Sequence, residues 1–347
     1  MQAAMPAGTP RFGVIARQQQ QRFRDTLSAA AQQPADDKAK RNPHLLAHGH
    51  ELENLCPSLR DAGGALAFFA ERGIKWWTNP RSGDRVPDAT YAGPTRNLAS
   101  SQVSCVNFLL PLASIPGALR ALLQELDADV VDVEAIVDGQ GNVAPVEFEW
   151  VGWREPLEGG RITRGANQTS IDALIVARTT AGRRAYLIEW KYCEEYLHPE
   201  DKGEGRSGDT RKARYRHLYA APTSSFSGEL PFEELLYEPF YQLMRMLLVG
   251  DRMLVEGVTE TLRVDDMRVV VVCPTANDDY RRVVPTTPLG RRWPNGTAVR
   301  DAVRAGLKNP RRLDVVAQDA LVERLRGGPL SGELEQWLDY HALRYGW

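Results

Sequence analysis

Cysteine is scarce in this sequence, and long apolar runs are missing from it. Its four cysteines are far apart and form no Cys-x-x-Cys pair; they are Cys56, Cys105, Cys193 and Cys273. This spacing argues against a disulfide framework and a zinc ribbon, and it fits a reducing compartment. No apolar run approaches the ~18 residues that a membrane helix needs, and the N-terminus has no signal-peptide core. We therefore expect a cytoplasmic protein.

An excess of positive charge is also missing, because 43 basic residues face 45 acidic ones and the net charge is −2. Any nucleic-acid binding must therefore come from local patches. The glycine-rich stretch 157–169 fits neither a P-loop nor a dinucleotide-binding fingerprint. Residues 1–43, rich in Ala, Gln and Arg, predict a poorly packed, mobile tail. Residues 44–347 predict a single domain.

Two apolar runs in the middle of the chain predict a β-hairpin. Ile171 to Ala177 and Ala185 to Trp190 flank a turn-like stretch that contains a glycine. Pairing across this turn places Asp172 opposite a residue between Glu189 and Lys191, on one face of the hairpin. An aspartate, a glutamate and a lysine should therefore converge at its open end.

Close carboxylates repel each other unless a cation lies between them. Asp172 and Glu189 would suit Mg²⁺ or Mn²⁺, which prefer oxygen ligands. Such a metal lowers the pKa of a bound water and screens phosphate charge. Lysine makes up only 7 of the 43 basic residues, yet Lys191 stands here as a fixed positive charge. The alternative is an ordinary Glu189–Lys191 ion pair on a solvated strand.

The residues Ser170-Ile171-Asp172 and Ile188-Glu189-Trp190-Lys191 resemble the PD-(D/E)XK nuclease superfamily. The resemblance implies that Asp172 and Glu189 are metal ligands and that Lys191 is the catalytic lysine. One departure is that no proline precedes Asp172. The stretches 100–111 and 164–173 further resemble an uncharacterised restriction-endonuclease-like family, which supports the fold more than a reaction.

Two more regions hold candidate site residues. Glu147 and Glu149 share a face of the strand-like run 146–151. We take Glu149 as a further metal ligand, while Glu147 in that role, or a solvent-facing pair in neither role, remains open. In similar nucleases the helix after the Glu-x-Lys strand often presents a Gln, Lys or Arg to the site. This resemblance implies that Gln242, on the predicted helix 231–249, is a catalytic-site residue.

The periodicity of the chain predicts an α/β fold with a central mixed sheet flanked by helices. In order, the predicted core elements are helix 113–126, strand 130–137, strand-like run 145–151, strands 170–178 and 185–192, helix 231–249 and strand 268–273. They match the restriction-endonuclease-like αβββαβ core, with helical additions at both ends. Which of the two early runs is the first core strand stays open. The core would span about 100–280.

Two basic segments are candidates for phosphate contact. The stretch 199–217 predicts a flexible insertion with a basic end at 211–216, and 281–312 has nine basic residues against one acid, Asp301. The latter begins a basic, helical extension, 281–347. We expect a Mg²⁺- or Mn²⁺-dependent deoxyribonuclease, an endonuclease that is compatible with a homodimer. The alternatives are a catalytically inactive nucleic-acid-binding protein on the same fold and a partner-binding scaffold. DNA or RNA as substrate, endo- or exonuclease action, the target sequence, the biological role and the oligomeric state stay open.

Overall fold

The computed structural model describes residues 11–34, 36–77, 91–153, 157–158, 168–196, 200–283, 286–294 and 296–347. Within these residues the helices are α1 (Phe12–Arg24), α2 (Asp37–Arg41), α3 (Ala65–Glu71), α4 (Ser101–Ala113), α5 (Ala118–Leu126), α6 (Gly205–Tyr219), α7 (Phe240–Glu256), α8 (Asp278–Arg281), α9 (Pro288–Arg292), α10 (Val299–Arg304), α11 (Gln318–Arg326) and α12 (Glu335–Tyr345). The strands are β1 (Val130–Glu134), β2 (Ile136–Val137), β3 (Val143–Ala144), β4 (Glu147–Trp150), β5 (Ile171–Thr179), β6 (Gly182–Trp190), β7 (Asp266–Val272) and β8 (Leu313–Val316).

The strands form a six-stranded mixed sheet in the order β1-β5-β6-β7-β8, with β4 also paired to β5. β1, β4 and β6 run antiparallel to β5, whereas β7 and β8 continue from β6 in parallel. The two early strand-like runs, 130–137 and 145–151, therefore each contribute a strand to the sheet. β4 pairs with the first half of β5 and β1 with its second half. The predicted α/β fold with a mixed central sheet is confirmed.

Helices cover both faces of the sheet because the long strands alternate apolar side chains between two cores. Tyr186, Ile188 and Trp190 on β6 pack into the core that includes α4, α5, α11 and α12. Ala185 and Leu187 point to the opposite core, which is built largely by α7. Strand alternation places Glu189 on the α7 side. This side is where the polar residues of the hairpin are found.

Several local predictions were wrong at their boundaries. The predicted helix 231–249 is interrupted at Pro239, which lacks a backbone N–H and immediately precedes the first residue of α7. The predicted strand 130–137 is divided into β1 and β2, and β2 pairs with β3 in a separate hairpin. The stretch 199–217 is not a flexible insertion throughout, because α6 occupies most of it and buries Tyr215.

The segment predicted as a poorly packed tail contains α1, which packs against α12. Gln20 is fully buried and donates to the Tyr192 hydroxyl at 2.7 Å and to the carbonyl of Arg344 at 3.1 Å. Phe23 is also buried, and its ring contacts Tyr340 edge-on. The expectation of poor packing therefore does not hold for residues 12–24. Residues 1–10 lie outside the described part of the chain.

The basic stretch 281–312 is largely an internal network rather than a free surface. Eight of its nine basic side chains donate to protein oxygens; they are Arg281, Arg282, Arg291, Arg292, Arg300, Arg304, Lys308 and Arg312. Arg304 joins α10 to β8, and Arg312, the residue before β8, binds Asp251 on α7. The interpretation of this stretch as a phosphate-binding surface is therefore weakened.

No single helix of the described residues is long and apolar enough to cross a membrane. Within the same residues, α4 and α5 taken together, a pair bent by 118°, have the length and composition of a span.

Candidate active site

The site lies where the start of β5 meets the end of β6. The predicted hairpin is confirmed, with Ala173 opposite Ile188 and Thr179 opposite Gly182. Continuing this register by one residue places Asp172 opposite Glu189. The same extension across β4 places Glu149 opposite Asp172, because Phe148 pairs with Ala173 and Trp150 with Ile171. Three carboxylates thus occupy one row across three neighbouring strands.

Asp172 is held through one of its two carboxylate oxygens. Its Oδ2 accepts a hydrogen bond of 2.7 Å from the backbone nitrogen of Trp190, the residue between Glu189 and Lys191. This bond fixes the side chain against the end of β6. It leaves Oδ1 for another partner.

Glu189 is nearly inaccessible, and two donors converge on its Oε1. Lys191 Nζ lies 2.7 Å from this oxygen, and the side-chain amide of Gln242 on α7 donates to it at 2.6 Å. Its other oxygen, Oε2, is buried without a hydrogen-bond partner among the described residues. The structure therefore brings together Asp172, Glu189, Lys191 and Gln242, all four of the residues that the sequence assigned to catalysis.

Glu149 adopts a left-handed backbone conformation, with φ at 49°. A positive φ is uncommon for a residue with a side chain and typically marks a functional or strained position. Its Oε1 accepts from Gln102 at 2.7 Å and its Oε2 from Ser170 at 3.0 Å. Glu147 is buried elsewhere against Arg72, 3.5 Å away. Of the two glutamates, Glu149 is the one that faces Asp172.

Burial and like charge dominate the electrostatics of the row. Burial, followed by the negative charge of Glu189, raises the pKa of Asp172 well above its usual value. Burial and then the charges of Asp172, Glu149 and Glu189 also raise the pKa of the Cys105 thiol, which lies beneath the row on α4. Although burial opposes it, the charge of Glu189 raises the pKa of Lys191. Lys191 is thus a fixed cation in this site.

The donor set fits a hard divalent cation bound through few protein ligands. Among the described residues no group of three His, Cys, Asp or Glu side chains is arranged to hold a metal. Mg²⁺, however, is commonly bound by one or two carboxylates, with waters and substrate phosphate completing its coordination. Asp172 and the unpartnered Oε2 of Glu189 could supply those two ligands. Both oxygens of Glu149 already accept hydrogen bonds, so we do not count Glu149 among these two ligands.

Three residues around the site escaped the sequence analysis as functional candidates. Gln102, a polar residue in an otherwise largely apolar stretch, and Ser170 hold Glu149. Glu238 lies two residues before α7, with Oε2 buried and unpartnered among the described residues. Burial raises its pKa against the opposing charge of Lys191. The only sequence signal for such residues is a polar side chain next to an apolar run, and this signal is too common to identify a functional site.

A second polar cluster connects α6 and α7 next to the site. The buried carboxylate of Glu158 accepts from the hydroxyls of Thr169 and Tyr215 and pairs with Arg245 at 2.9 Å. Arg245 also donates to the backbone carbonyl of Gln168 at 2.6 Å. Arg245 lies one helical turn from Gln242 on α7. Because Arg245 also binds Gln168 and Thr169, the cluster fixes the residues that precede β5. Residues 159–167, which include part of the family-like stretch 164–173, lie outside the described residues.

Comparison with known proteins identifies one family. A family model described as "Restriction Endonuclease associating with ARP" matches residues 81–346. No curated protein and no solved structure matches the chain. The family match covers the whole sheet and every residue of the site described above. The chain therefore belongs to the family of restriction endonucleases described as associating with ARP.

Proposed function

We propose that this protein is a metal-dependent nuclease of the PD-(D/E)XK superfamily that hydrolyses phosphodiester bonds in DNA. The observation that carries the proposal is the convergence of Asp172, Glu189 and Lys191 at the adjoining ends of β5 and β6. The distance of 2.7 Å between Lys191 Nζ and Glu189 Oε1 is its clearest measure. The restriction-endonuclease family supports DNA as the substrate.

Asp172 and Glu189 each keep one oxygen bound within the protein and one available for a cation. Oδ2 of Asp172 is held by the nitrogen of Trp190, and Oε1 of Glu189 by Lys191 and Gln242. The carboxylates are therefore oriented before any cation binds. A bound Mg²⁺ or Mn²⁺ would supply an activated water and would neutralise phosphate charge.

Lys191 would stabilise the negative charge that develops on the phosphate. An ammonium group has three donors, and its contact with Glu189 occupies one of them. The side chain is only 9% exposed, so its charge acts in a poorly solvated environment, where electrostatic stabilisation is strong. Gln242 acts through Glu189, and we assign it a positioning role.

The best candidate for contact with the DNA backbone is α6. Its side chains Arg206, Lys212 and Arg214 make no ion pair with an acid in the described part of the chain. The helix is anchored next to the site because Tyr215 binds Glu158, which also binds Arg245 on α7. Unpaired cations on an anchored helix are suited to neutralise phosphates.

Incubation of the purified protein with supercoiled plasmid tests this function. Nicking or linearisation that requires Mg²⁺ or Mn²⁺, and that Asp172→Ala abolishes, is the expected result. Circular dichroism of the variant must show an unchanged fold. Binding of plasmid and of linear, single-stranded DNA and RNA without any cleavage would indicate the inactive nucleic-acid-binding protein instead. Absence of both binding and cleavage would favour the scaffold.

A further inference from the structure

Residues 75–77 lie beside the carboxylate row of the candidate active site and are held there by the side chain of Gln102. The Gln102 amide accepts from the backbone nitrogen of Trp77 at 2.6 Å and donates to the carbonyl of Lys75 at 3.3 Å. The same amide nitrogen donates to Glu149 at 2.7 Å. Because a single amide group joins them, the Trp77 nitrogen lies at most about 8 Å from the Glu149 carboxylate.

The side chains of these three residues alternate between the core and the solvent. Trp76 is 5% exposed, and its ring stacks on Phe69 with the ring centroids 4.0 Å apart. Lys75 and Trp77 flank it in the chain, and both are exposed. The two backbone contacts of Gln102 have the pattern of a strand pair, in which the residues on either side of a central one face the opposite way. The buried Trp76 therefore anchors a segment that presents a lysine and a tryptophan side by side.

The exposure of this tryptophan is unusual in the protein. Trp77 is 49% exposed, and it is the only Phe, Tyr or Trp side chain that is exposed in the described part of the chain. The amine of Lys75 makes no hydrogen bond or ion pair with the described residues. An indole ring gains by covering a flat apolar partner, and an ammonium group attracts phosphate. Proteins that bind single-stranded nucleic acid combine these two groups, because every base has a π-face and every nucleotide a phosphate.

We propose that Trp77 stacks on an unpaired base of the DNA substrate while Lys75 contacts a neighbouring phosphate. This inference rests on the proposed nuclease function and specifies its substrate, a strand that is single-stranded or locally unpaired next to the cut. In an intact duplex both faces of each internal base are covered by its neighbours, so only an unpaired or extruded base can meet the ring. Gln102 links Trp77 to Glu149, so a base on Trp77 would set the position of the strand relative to the carboxylate row.

Binding to the metal-free full-length protein tests the proposal without cleavage. The probe is a fluorescein-labelled oligothymidylate of about 20 nucleotides, and Trp77→Ala should weaken its affinity at least about fivefold, because one base stack is lost. Trp77→Phe keeps an aromatic face and should retain most of the affinity. Lys75→Ala should lower the slope of log affinity against log salt by about 0.7. The matched control is Leu343→Ala, which removes a 53% exposed apolar side chain on α12 and should change neither quantity.

A fluorescent base analogue reports the stack directly. 2-Aminopurine at alternating positions of the same probe should lose fluorescence on binding to the wild type and to Trp77→Phe, but not on binding to Trp77→Ala. Equal affinity of Trp77→Ala and the wild type would overturn the proposal, and so would the absence of quenching by the wild type. An equal loss of affinity for a fully paired duplex would overturn it too, because Trp77 would then contact no unpaired base.

These outcomes are distinct from a failure of the nuclease function. If the wild type nicks plasmid but its binding does not depend on Trp77, the nuclease function stands and the stacking site is wrong. If binding depends on Trp77 and on an unpaired base but the wild type cleaves no DNA, the stacking site stands and the nuclease function is wrong.

Discussion

The side-chain amide of Gln242 donates a hydrogen bond of 2.6 Å to Oε1 of Glu189, and so joins α7 to the end of β6. This oxygen is also the one that Lys191 contacts. The second oxygen of Glu189 has no hydrogen-bond partner among the described residues, and it is the oxygen that the proposed cation would bind. The relationship gives a residue of the covering helix a direct influence on the geometry of the carboxylate row.

Gln242→Ala should lower cleavage about tenfold while the protein remains folded. The loss corresponds to one orienting hydrogen bond to a charged group, worth about 1.4 kcal/mol. Initial rates of plasmid nicking at several Mn²⁺ concentrations measure it, and the concentration of Mn²⁺ at half-maximal rate should rise. The control is Gln124→Ala, which removes an amide bonded to the Val130 carbonyl far from the site. An unchanged Mn²⁺ dependence would contradict the positioning role.

Asp172→Asn should stabilise the metal-free protein and abolish metal binding. Burial and Glu189 raise the pKa of Asp172, so its ionised form is disfavoured in the folded state. Asparagine carries no charge to bury, so the melting temperature of the metal-free protein should rise. The asparagine can still accept from Trp190. Thermal melts without metal and titration calorimetry with Mn²⁺ provide the two measurements; a lower melting temperature would argue for a structural carboxylate.

Lys191→Ala should abolish detectable cleavage and leave DNA binding nearly intact. The loss of a buried cation at the reacting phosphate should cost at least about 100-fold in rate. Gel-shift affinity and single-turnover cleavage distinguish the two effects. Lys308→Ala, which removes a lysine bonded to the Pro222 carbonyl, is the control. If the melting curve of Lys191→Ala shows collapse of the fold, Lys191 is structural instead.

Acidification should destabilise the protein through two buried histidines. Burial lowers the pKa of His341 to about 3 and that of His44 to about 4, so both are neutral when folded. The unfolded chain takes up these protons below about pH 6.5, and stability is therefore present above that pH and lost as the pH falls towards the folded values. At pH 5, His341 alone should cost about 2 kcal/mol.

Chemical denaturation at pH 7.5 and pH 5 measures this loss. His341→Phe keeps an aromatic ring in the same cluster but removes the titrating group, so the difference in unfolding free energy between the two pH values should shrink. An equal difference in both proteins would show that other groups govern acid sensitivity.

Substitutions on α6 should reduce the salt dependence of DNA binding. Arg214→Ala removes one cation that has no acidic partner among the described residues, and the slope of log affinity against log salt should fall by about 0.9. Arg300→Ala removes an arginine that is paired with Asp301 and Asp314 and should leave the slope unchanged. Fluorescence anisotropy over a salt series gives both slopes. If the slope changes only for Arg300→Ala, the phosphate contacts lie in the stretch 281–312 instead of on α6.

The sequence by itself determined the hairpin and the placement of its charged residues. Branched and apolar residues alternate along both strands, and a short turn with Gly182 joins them, so the register follows from local pattern. A strand period of two then brings Asp172 opposite Glu189. This part of the site was predictable because it depends on contacts within 20 or so residues of the chain.

The tertiary structure decided which distant residues join that hairpin. Gln102, Gln242 and Glu238 approach through the packing of α4 and α7, and no periodicity in the sequence distinguishes them from other polar residues on helices. The tertiary structure also decided whether the arginines of 281–312 are free to bind phosphate, because a guanidinium group binds a phosphate and a neighbouring carboxylate with the same chemistry. Only the positions of Asp251, Asp314, Glu234 and several backbone carbonyls in the folded chain show that most of these arginines are engaged within the protein.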